Sequence, residues 1–502
     1  MKRSFHSKKA IVALSGLVGV LTVCVALAQQ SVSLTEWKFG IWRNFQLSKK
    51  AGQIGKDNFA NLLTIDTNNS VAGQLALVAK NEHGAQHSNT QTIETNQNKL
   101  FLLDINAIKG EVGLTSEYVA SPEKPGSNHG AYPHSIDGPQ FSSTGQYILL
   151  KFRLDYSTYF PLILNTQTGD FRGLTTVIEG RNATPGVTGM VSWSADDQYI
   201  AYFEPIHSES GETVDELAFA SEPRTAYVQN WRANTRLRVV QAQGIVDPLT
   251  WLDDKTLLYS ALTHEQKKIF DLYDVTKTGK LPRPNIYGYD VATQRTKLII
   301  KDGFRPSASP DGSLIAFFGS YEVTKPQPLY LEQNSPLWLW RYFCRGASLC
   351  VAKPDGSERI ALQPYVGLYP QIQWLPDNRR FITLELTKSG LVFESEVTLW
   401  DTKTQTLKKL AKLYATKSEK PNPTDPYDRI AFPFSIKGVS QDGKKVFVIS
   451  TSTKKTDVIQ GPYPPSVQVL QSVDIETGVV NTIATVKNAL GLDWTTKVNS
   501  VN

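Results

Sequence analysis

The chain has 502 residues, of which 40% are hydrophobic, 10% aromatic and 20% charged, a composition typical of a globular protein and not of a disordered one. Its 34 glycines and 27 prolines supply many turns and, with the aromatic residues, favour an all-β fold over a helical bundle. The formal net charge of +6 falls to +2 when the four cationic residues of the N-terminal segment are set aside, so binding to nucleic acid has no electrostatic support.

Residues 1–28 have the pattern of a targeting segment. Four cationic residues within the first nine precede an apolar run from Ala10 to Ala28, which ends in Ala-Leu-Ala like a cleavage site. The run has 19 residues, which is also enough to span a membrane. The segment therefore predicts export, as a cleaved signal peptide or as an uncleaved anchor, and a periplasmic location for the rest of the chain.

A turn followed by a strand of β-branched and aromatic residues recurs through residues 61–499. The clearest copies are Ser309-Pro310-Asp311-Gly312 and Ser440-Gln441-Asp442-Gly443, each followed by an apolar strand. Four more copies have turns at residues 145, 197, 254 and 378. A second turn follows each copy, as at Asp355-Gly356, and such turns join antiparallel strands. Each unit therefore predicts four antiparallel strands.

Four antiparallel strands in roughly 40–65 residues are typical of one blade of a β-propeller. Six blades follow from the turns, and a seventh is predicted between Asn61 and Val119 from two apolar segments, Gln74–Val78 and Leu100–Asp104. We therefore predict an all-β fold, a β-propeller of seven four-stranded blades. Residues 29–60, or the tail after Thr482, are expected to supply the strand that closes the ring.

The sequence Ser-Pro-Asp-Gly-x-x-Ile-Ala-Phe at 309–317 resembles the WD40-like repeat (PD40) of the TolB propeller. Residues 440–449 match the same pattern, and related blades occur in the propeller half of the dipeptidyl peptidase and prolyl oligopeptidase families. The resemblance implies a fold and leaves function open. It implies a structural role in the repeat turns for Asp311, Gly312, Asp355, Gly356, Asp442 and Gly443.

The strand order predicts that the two tight turns of every blade lie on one face of the ring. Six long connections would then lie on the opposite face, at about 110–138, 203–223, 260–284, 319–347, 411–434 and 451–466. Long loops in a compact domain are usually functional or disordered. We therefore expect the loop-rich face to bind a protein or a cell-envelope component.

The segment 325–343 is the strongest candidate for the contact surface. Aromatic side chains with an arginine are typical of a binding hot spot, and the candidates here are Tyr330, Trp338, Trp340, Arg341, Tyr342 and Phe343. Alternatively, these residues fold back as a local core over their blade. Cys344 and Cys350 are the two cysteines outside the leader, and in an oxidising compartment they either form a disulfide or remain thiols.

No catalytic residue, metal site or cofactor is predicted. The chain has no Gly-x-Ser-x-Gly motif and no histidine after His264, which argues against a hydrolase triad in which acid and histidine follow the nucleophile. No Cys and His spacing fits a zinc site. A non-catalytic binding propeller is therefore favoured. The alternative is a propeller enzyme acting on a glycan or peptide at the central channel, where charged side chains would converge.

Overall fold

The computed structural model describes residues 45–50, 63–65, 71–80, 98–106, 111–122, 135–153, 159–173, 188–204, 223–233, 235–263, 265–266, 283–320, 347–364, 368–388, 392–416, 433–453, 466–487 and 489–496. The chain divides into two compact units, Met1–Ser48 with Ala120–Ala131, and Lys49–Val119 with Tyr132–Asn502. The predicted leader lies outside the described residues. Among the described residues, no helix is long and apolar enough to cross a membrane.

The described residues form 29 strands. The first half of the chain contains β1 Phe45–Lys50, β2 Leu63–Ile65, β3 Ala72–Lys80, β4 Asn98–Asn106, β5 Glu111–Pro122, β6 Ser135–Phe141, β7 Tyr147–Arg153, β8 Tyr159–Asn165, β9 Phe171–Gly173, β10 Thr188–Trp193, β11 Tyr199–Glu204, β12 Pro223–Asn230, β13 Thr235–Trp251 and β14 Thr256–Leu262. The second half contains β15 Asn285–Asp290, β16 Arg295–Ile300, β17 Gly303–Ala308, β18 Ile315–Ser320, β19 Ala347–Ala352, β20 Ile360–Pro364, β21 Leu368–Trp374, β22 Arg380–Lys388, β23 Val392–Asp401, β24 Thr406–Thr416, β25 Phe434–Val439, β26 Lys445–Thr453, β27 Ser466–Asp474, β28 Val480–Lys487 and β29 Ala489–Thr495.

These strands form six sheets that make seven blades. The sheet orders are β1-β5-β4-β3-β29, β6-β7-β8-β9, β10-β11-β12-β13-β14-β15-β16, β17-β18-β19-β20, β21-β22-β23-β24 and β2-β28-β27-β26-β25. The seven-stranded sheet holds the third and fourth blades, because residues 235–243 of β13 pair with β12 and residues 243–251 pair with β14. The predicted all-β propeller of seven four-stranded blades is confirmed.

Strands from distant parts of the chain close the ring. β29 is the innermost strand of the first blade, where Leu492 pairs with Leu77 of β3. β2 lies at the outer edge of the seventh blade, where Thr64 pairs with Thr485 of β28. The inner closing strand therefore comes from the tail of the chain. Of residues 29–60, the structure describes β1.

The turn between the first and second strand of a blade has one recurring form. In five blades the turn begins with the N–H of Ser142, Ser194, Ser309, Leu375 or Ser440, which donates to the carbonyl oxygen five residues later. A left-handed residue with φ between 55° and 79° reverses the chain, and it is Gly145, Asp197, Gly312, Asn378 or Gly443. The turn at residue 254 is one residue shorter, because the Leu252 N–H donates to the carbonyl oxygen of Thr256, four residues later.

The turn between the third and fourth strand is formed by a side chain. In five blades an Asn or Asp ends the third strand and accepts the N–H of the residue three positions later at 2.6 to 3.1 Å; these residues are Asn165, Asn230, Asp290, Asp401 and Asp474. Asx side chains form such turns locally, without help from distant residues. The repeated turns therefore follow directly from the repeated sequence.

Neighbouring blades are joined through their inner strands. Trp251 Nε1 donates to Ser192 O at 3.2 Å, and Trp374 Nε1 donates to Ser307 O at 2.9 Å. Each tryptophan ends an inner strand and reaches the blade before it. On the face with the tight turns, the turns themselves also touch, since Asp311 N–H donates to Asn378 Oδ1 at 3.1 Å. The blades thus form a continuous packed ring.

Candidate functional site

The predicted partner-binding residues Tyr330, Trp338, Trp340, Arg341, Tyr342 and Phe343 lie outside the described residues. The two ends of their loop are described. Ser320 ends β18 and pairs directly with Ala347, which begins β19 and is fully buried. The intervening 26 residues therefore leave and re-enter the fifth blade at adjacent points, at the end of the blade opposite its tight turns.

Cys350 lies in the middle of β19, between Phe317 of β18 and Ala361 of β20. It is buried and forms no disulfide with another described residue, and its Sγ donates to Ser348 O at 3.4 Å. Burial raises the pKa of the thiol, and the guanidinium of Arg359 opposes that shift. Its predicted disulfide partner, Cys344, lies outside the described residues, so the disulfide stays a prediction.

The six repeat-turn residues lie in the tight turns that join neighbouring strands within their blades. Ser309 Oγ donates to Asp311 Oδ1 at 2.7 Å, and Ser440 Oγ donates to Asp442 Oδ1 at 2.6 Å. The Ser440 hydroxyl, followed by the Lys444 N–H, holds the pKa of Asp442 below its usual value. Asp355 accepts in the same way from Ser357. These carboxylates are engaged in forming turns.

A groove of about 300 Å³ lies on this tight-turn face, between the second and third blades. Five lining residues come from the second blade: Tyr147, Ile163, Asn165, Asp170 and Arg172. The other two, Trp231 and Arg232, come from the turn between β12 and β13. We call this feature the blade 2–3 groove.

The floor of the blade 2–3 groove is aromatic and firmly held. The rings of Tyr147 and Trp231 meet edge to face with centroids 4.8 Å apart. Trp231 is 8% exposed and donates Nε1 to Asp197 O at 2.8 Å. The Asp197 side chain accepts in turn from Ser142 Oγ at 2.6 Å and from Thr144 N–H at 3.2 Å. The floor is therefore tied to both blades.

Two exposed arginines lie at the rim of the groove. Cζ of Arg232 is 5.1 Å from the Trp231 ring centroid and 5.4 Å from that of Tyr147, and Nη2 donates to the Tyr147 hydroxyl at 3.3 Å. Nη1 of Arg172 donates to Arg232 O at 2.8 Å. Among the described residues, no carboxylate forms an ion pair with either guanidinium. The groove therefore presents two guanidinium groups and one carboxylate, that of Asp170, which forms no ion pair with them.

A second cluster of charged residues lies on the sixth blade. Glu385 of β22 is half-buried and directly opposite Glu396 of β23, which pairs with Lys409 at 2.8 Å. Burial raises the pKa of Glu385 to about 7; a hydrogen bond from Thr383 lowers it, and the Glu396 carboxylate raises it further. Within the described ranges, no group of three or more His, Cys, Asp or Glu could hold a metal ion.

The polar side chains of the inner strands link one blade to the next. Gln140 Nε2 donates to Val191 O at 2.7 Å, and Gln371 exchanges two hydrogen bonds with the backbone of β25. Asp493 of β29 accepts from Phe141 N–H at 2.6 Å and pairs with Lys437 at 3.0 Å. These groups hold the ring together.

The blade 2–3 groove was not predicted from the sequence. A signal was present, because Trp231 and Arg232 occupy the turn positions that hold Thr402-Lys403 and Ile475-Glu476 in other blades. The first of these positions holds a small or aliphatic residue in those blades, so a tryptophan there, followed by an arginine, indicates an additional contact. The other wall of the groove, with Tyr147 and Arg172, is brought in by the packing of two blades.

Solved structures of propellers are among the proteins to which this chain is similar. No protein-family model matches it, and no curated protein does. Solved structures that it is similar to include TolB from Acinetobacter baumannii, with 14% identity and a TM-score of 0.36 over 68% of this chain and 63% of that one. An oligogalacturonate lyase from Vibrio parahaemolyticus has 12% identity and a TM-score of 0.39 over 69% of this chain and 78% of the lyase.

The β-propeller domain of the trilobed protease from Pyrococcus furiosus has 11% identity and a TM-score of 0.44, over 82% of this chain and 92% of the domain. The chain spans less than two thirds of the length of the Acinetobacter TolB. TolB structures and the propeller domains of proteases are thus among the neighbours of this chain, as its repeats predict. The likeness concerns the fold.

Proposed function

We propose that this chain is an exported binding propeller that holds a protein or another cell-envelope component through its loop-rich face, without catalysis. It is exported to the periplasm, free or held by residues 1–28. The proposal rests on the unequal lengths of the connections. Five residues join β25 to β26 on the tight-turn face, whereas 26 residues join β18 to β19 on the other.

The composition of the long connection supports the same conclusion. Its ends meet at the paired residues Ser320 and Ala347, so a two-residue hairpin would join the strands equally well. The additional chain contains the aromatic residues and the arginine of 330–343. Residues of this kind bind partners by burying large, rigid side chains.

The alternative function, catalysis on a glycan or peptide at the channel, requires charged side chains that converge there. Gln371 and Asp493, two polar residues of the inner strands, bind the backbone of neighbouring blades. That engagement favours binding.

Site-specific photo-cross-linking tests the proposal. A photoreactive amino acid is placed at Trp338 or Trp340 in the chain with its own leader, expressed in bacterial cells, and at the exposed residue Thr293 of the tight-turn face as a control. We expect a discrete cross-linked product in the periplasmic fraction from the two loop positions and none from Thr293. Mass spectrometry then identifies the partner.

Substitutions of neighbouring residues sharpen the test. Tyr342→Ser with Phe343→Ser should abolish the product, and Leu298→Ser, at an exposed leucine on β16, should leave it unchanged. Identical products from Thr293 and Trp338, or no product from either loop position, would refute binding through the loop-rich face.

A further inference from the structure

We propose that the blade 2–3 groove binds an α-carboxylate, that of a peptide chain end or of a free amino acid, with the ligand's side chain against Trp231 and Tyr147. The groove lies on the tight-turn face, whereas Ser320 and Ala347, which border the proposed partner loop, lie at the other end of their strands, so this site is additional to the proposed partner surface.

The charge of the groove sets the charge of its ligand. Arg172 and Arg232 contribute two positive charges and Asp170 one negative charge, which leaves a formal charge of +1. Asp170 already accepts a hydrogen bond from Thr168 Oγ1 at 2.7 Å, and it would repel a second anionic group. A single carboxylate therefore matches the groove better than a phosphate dianion.

The arginines are held in position before any ligand arrives. Arg232 lies over two rings and donates to the Tyr147 hydroxyl, and Arg172 is hydrogen-bonded to the Arg232 carbonyl. A guanidinium that is already ordered loses little conformational entropy when it binds a carboxylate with two parallel hydrogen bonds. Two guanidinium groups that line one groove and are held by these contacts therefore form a preorganised carboxylate clamp.

The other lining residues of the blade 2–3 groove would contact the side chain of the ligand. Ile163, Tyr147 and Trp231 supply apolar and aromatic surface beside the clamp, and Asn165 supplies an amide. The volume of about 300 Å³ is at the lower end of the range for ligand sites. One amino-acid residue, with its carboxylate on the arginines and its side chain on the floor, suits such a groove.

Titration with small probes tests this inference. The probes are N-acetylphenylalanine, its uncharged amide, free phenylalanine and inorganic phosphate, and binding is followed by calorimetry and by tryptophan fluorescence. We expect the acid to bind and the amide to bind at least about tenfold more weakly. Affinity for the acid should fall as salt concentration rises. Comparison of N-acetylphenylalanine with free phenylalanine distinguishes a chain end from a free amino acid.

Variants locate the binding. Arg172→Gln and Arg232→Gln should each weaken binding of the acid at least about tenfold, and Arg232→Lys should weaken it too, because an ammonium cannot form the bidentate contact. Arg295→Gln is the matched control, since Arg295 is an exposed arginine just after the equivalent turn of the fourth blade. The inference is overturned if acid and amide bind equally, if phosphate binds as tightly as the acid, or if Arg295→Gln has the same effect. Retention of the acid by both groove variants, with unchanged thermal unfolding, would overturn it as well.

Discussion

The buried carboxylate of Asp197 joins the third blade to the second. Asp197 is 1% exposed and sits in a left-handed turn position of the third blade with φ 55°. Its carboxylate accepts from Ser142 Oγ and from both the N–H and the hydroxyl of Thr144, in the equivalent turn of the second blade. One side chain therefore satisfies three donors of a neighbouring blade, and its backbone carbonyl holds Trp231 as well.

Asp197→Ala should lower the free energy of unfolding by about 2–4 kcal/mol, because donors of Ser142 and Thr144 would be left without an acceptor. Asp197→Asn should cost less, since one oxygen still accepts and asparagine tolerates positive φ. Urea unfolding measures both. Asp253→Ala is the control, because Asp253 caps an exposed turn of its own blade, where it accepts from the N–H groups of Lys255 and Thr256. Equal losses for Asp197→Ala and Asp253→Ala would contradict the inter-blade role.

The raised pKa of Glu385 predicts that the free energy of unfolding depends on pH. Because burial raises its pKa from 4.5 to about 7, the folded state keeps a proton that the unfolded state releases. Between these values the folded state binds more protons, so stability falls as pH rises from about 4.5 to about 7 and stays lower above it. Glu385→Gln should remove this dependence and raise stability above pH 7 by up to about 3 kcal/mol.

Urea unfolding between pH 4.5 and 8.5 checks the prediction for Glu385. Glu394→Gln is a matched control, because the ion pair with Lys412 holds the pKa of Glu394 below its usual value. A group of that kind stabilises the fold above its unfolded pKa, so its loss should lower stability at neutral pH. A wild-type curve that rises between pH 5 and 7, unchanged in Glu385→Gln, would contradict the assignment.

The tight turns contain glycines that are needed for different reasons: some for backbone conformation alone, others also for space. Gly356 and Gly443 both have positive φ, at 84° and 69°. A Cβ at Gly356 would lie 2.0 Å from Ile299 O of the preceding blade, whereas at Gly443 the nearest atom, Pro376 Cδ, would be 3.4 Å away. Gly356 is therefore needed for both conformation and space, and Gly443 for conformation.

This difference can be measured by replacing each glycine with alanine. In both variants, alanine at positive φ should lower the free energy of unfolding by about 1 kcal/mol. Gly356→Ala should lower it by at least about 1–2 kcal/mol more, because the new Cβ displaces the Ile299 carbonyl. Thermal unfolding compares the two directly. A larger loss for Gly443→Ala would show that the clash at Gly356 is relieved at little cost.

The whole ring depends on a closure between the two ends of the chain. Trp494 of β29 is 2% exposed and packs against Phe447 of the seventh blade at 5.7 Å between centroids. Gly73 of the first blade leaves it room, because a Cβ there would lie 2.3 Å from Trp494 Cζ2. This tryptophan therefore joins the first blade to the last.

Trp494→Ala should lower the free energy of unfolding by about 3–5 kcal/mol and open the ring locally. Hydrogen exchange should then accelerate in β29 and β3. Trp374→Ala removes a similar, 3% exposed side chain at the end of β21, away from the closure, and should leave exchange in β29 and β3 as in the wild type. Accelerated exchange of β29 in both variants would contradict a special role for the closure.

The parts of the fold that follow from local chemistry are predictable from the sequence. Ser309-Pro310-Asp311-Gly312 forms its turn through hydrogen bonds within six residues, so the pattern carries its own structure. In the first blade, the first two strands, β29 and β3, come from distant parts of the chain, and the prediction of this blade depends on the apolar segments that form β3 and β4. The shared strand β13 was not predicted, because residue types do not show that backbone pairing continues from one blade into the next.

The sequence by itself determined the repeating blade and its tight turns. Those features depend on residues close together in the chain. The closing strand and the blade 2–3 groove were decided by tertiary structure, because they depend on distant partners. Asp493 accepts from Phe141, 352 residues away, and Arg232 reaches Tyr147, 85 residues away. No local pattern contains such a pair, since each residue acquires its role from the packing of whole blades.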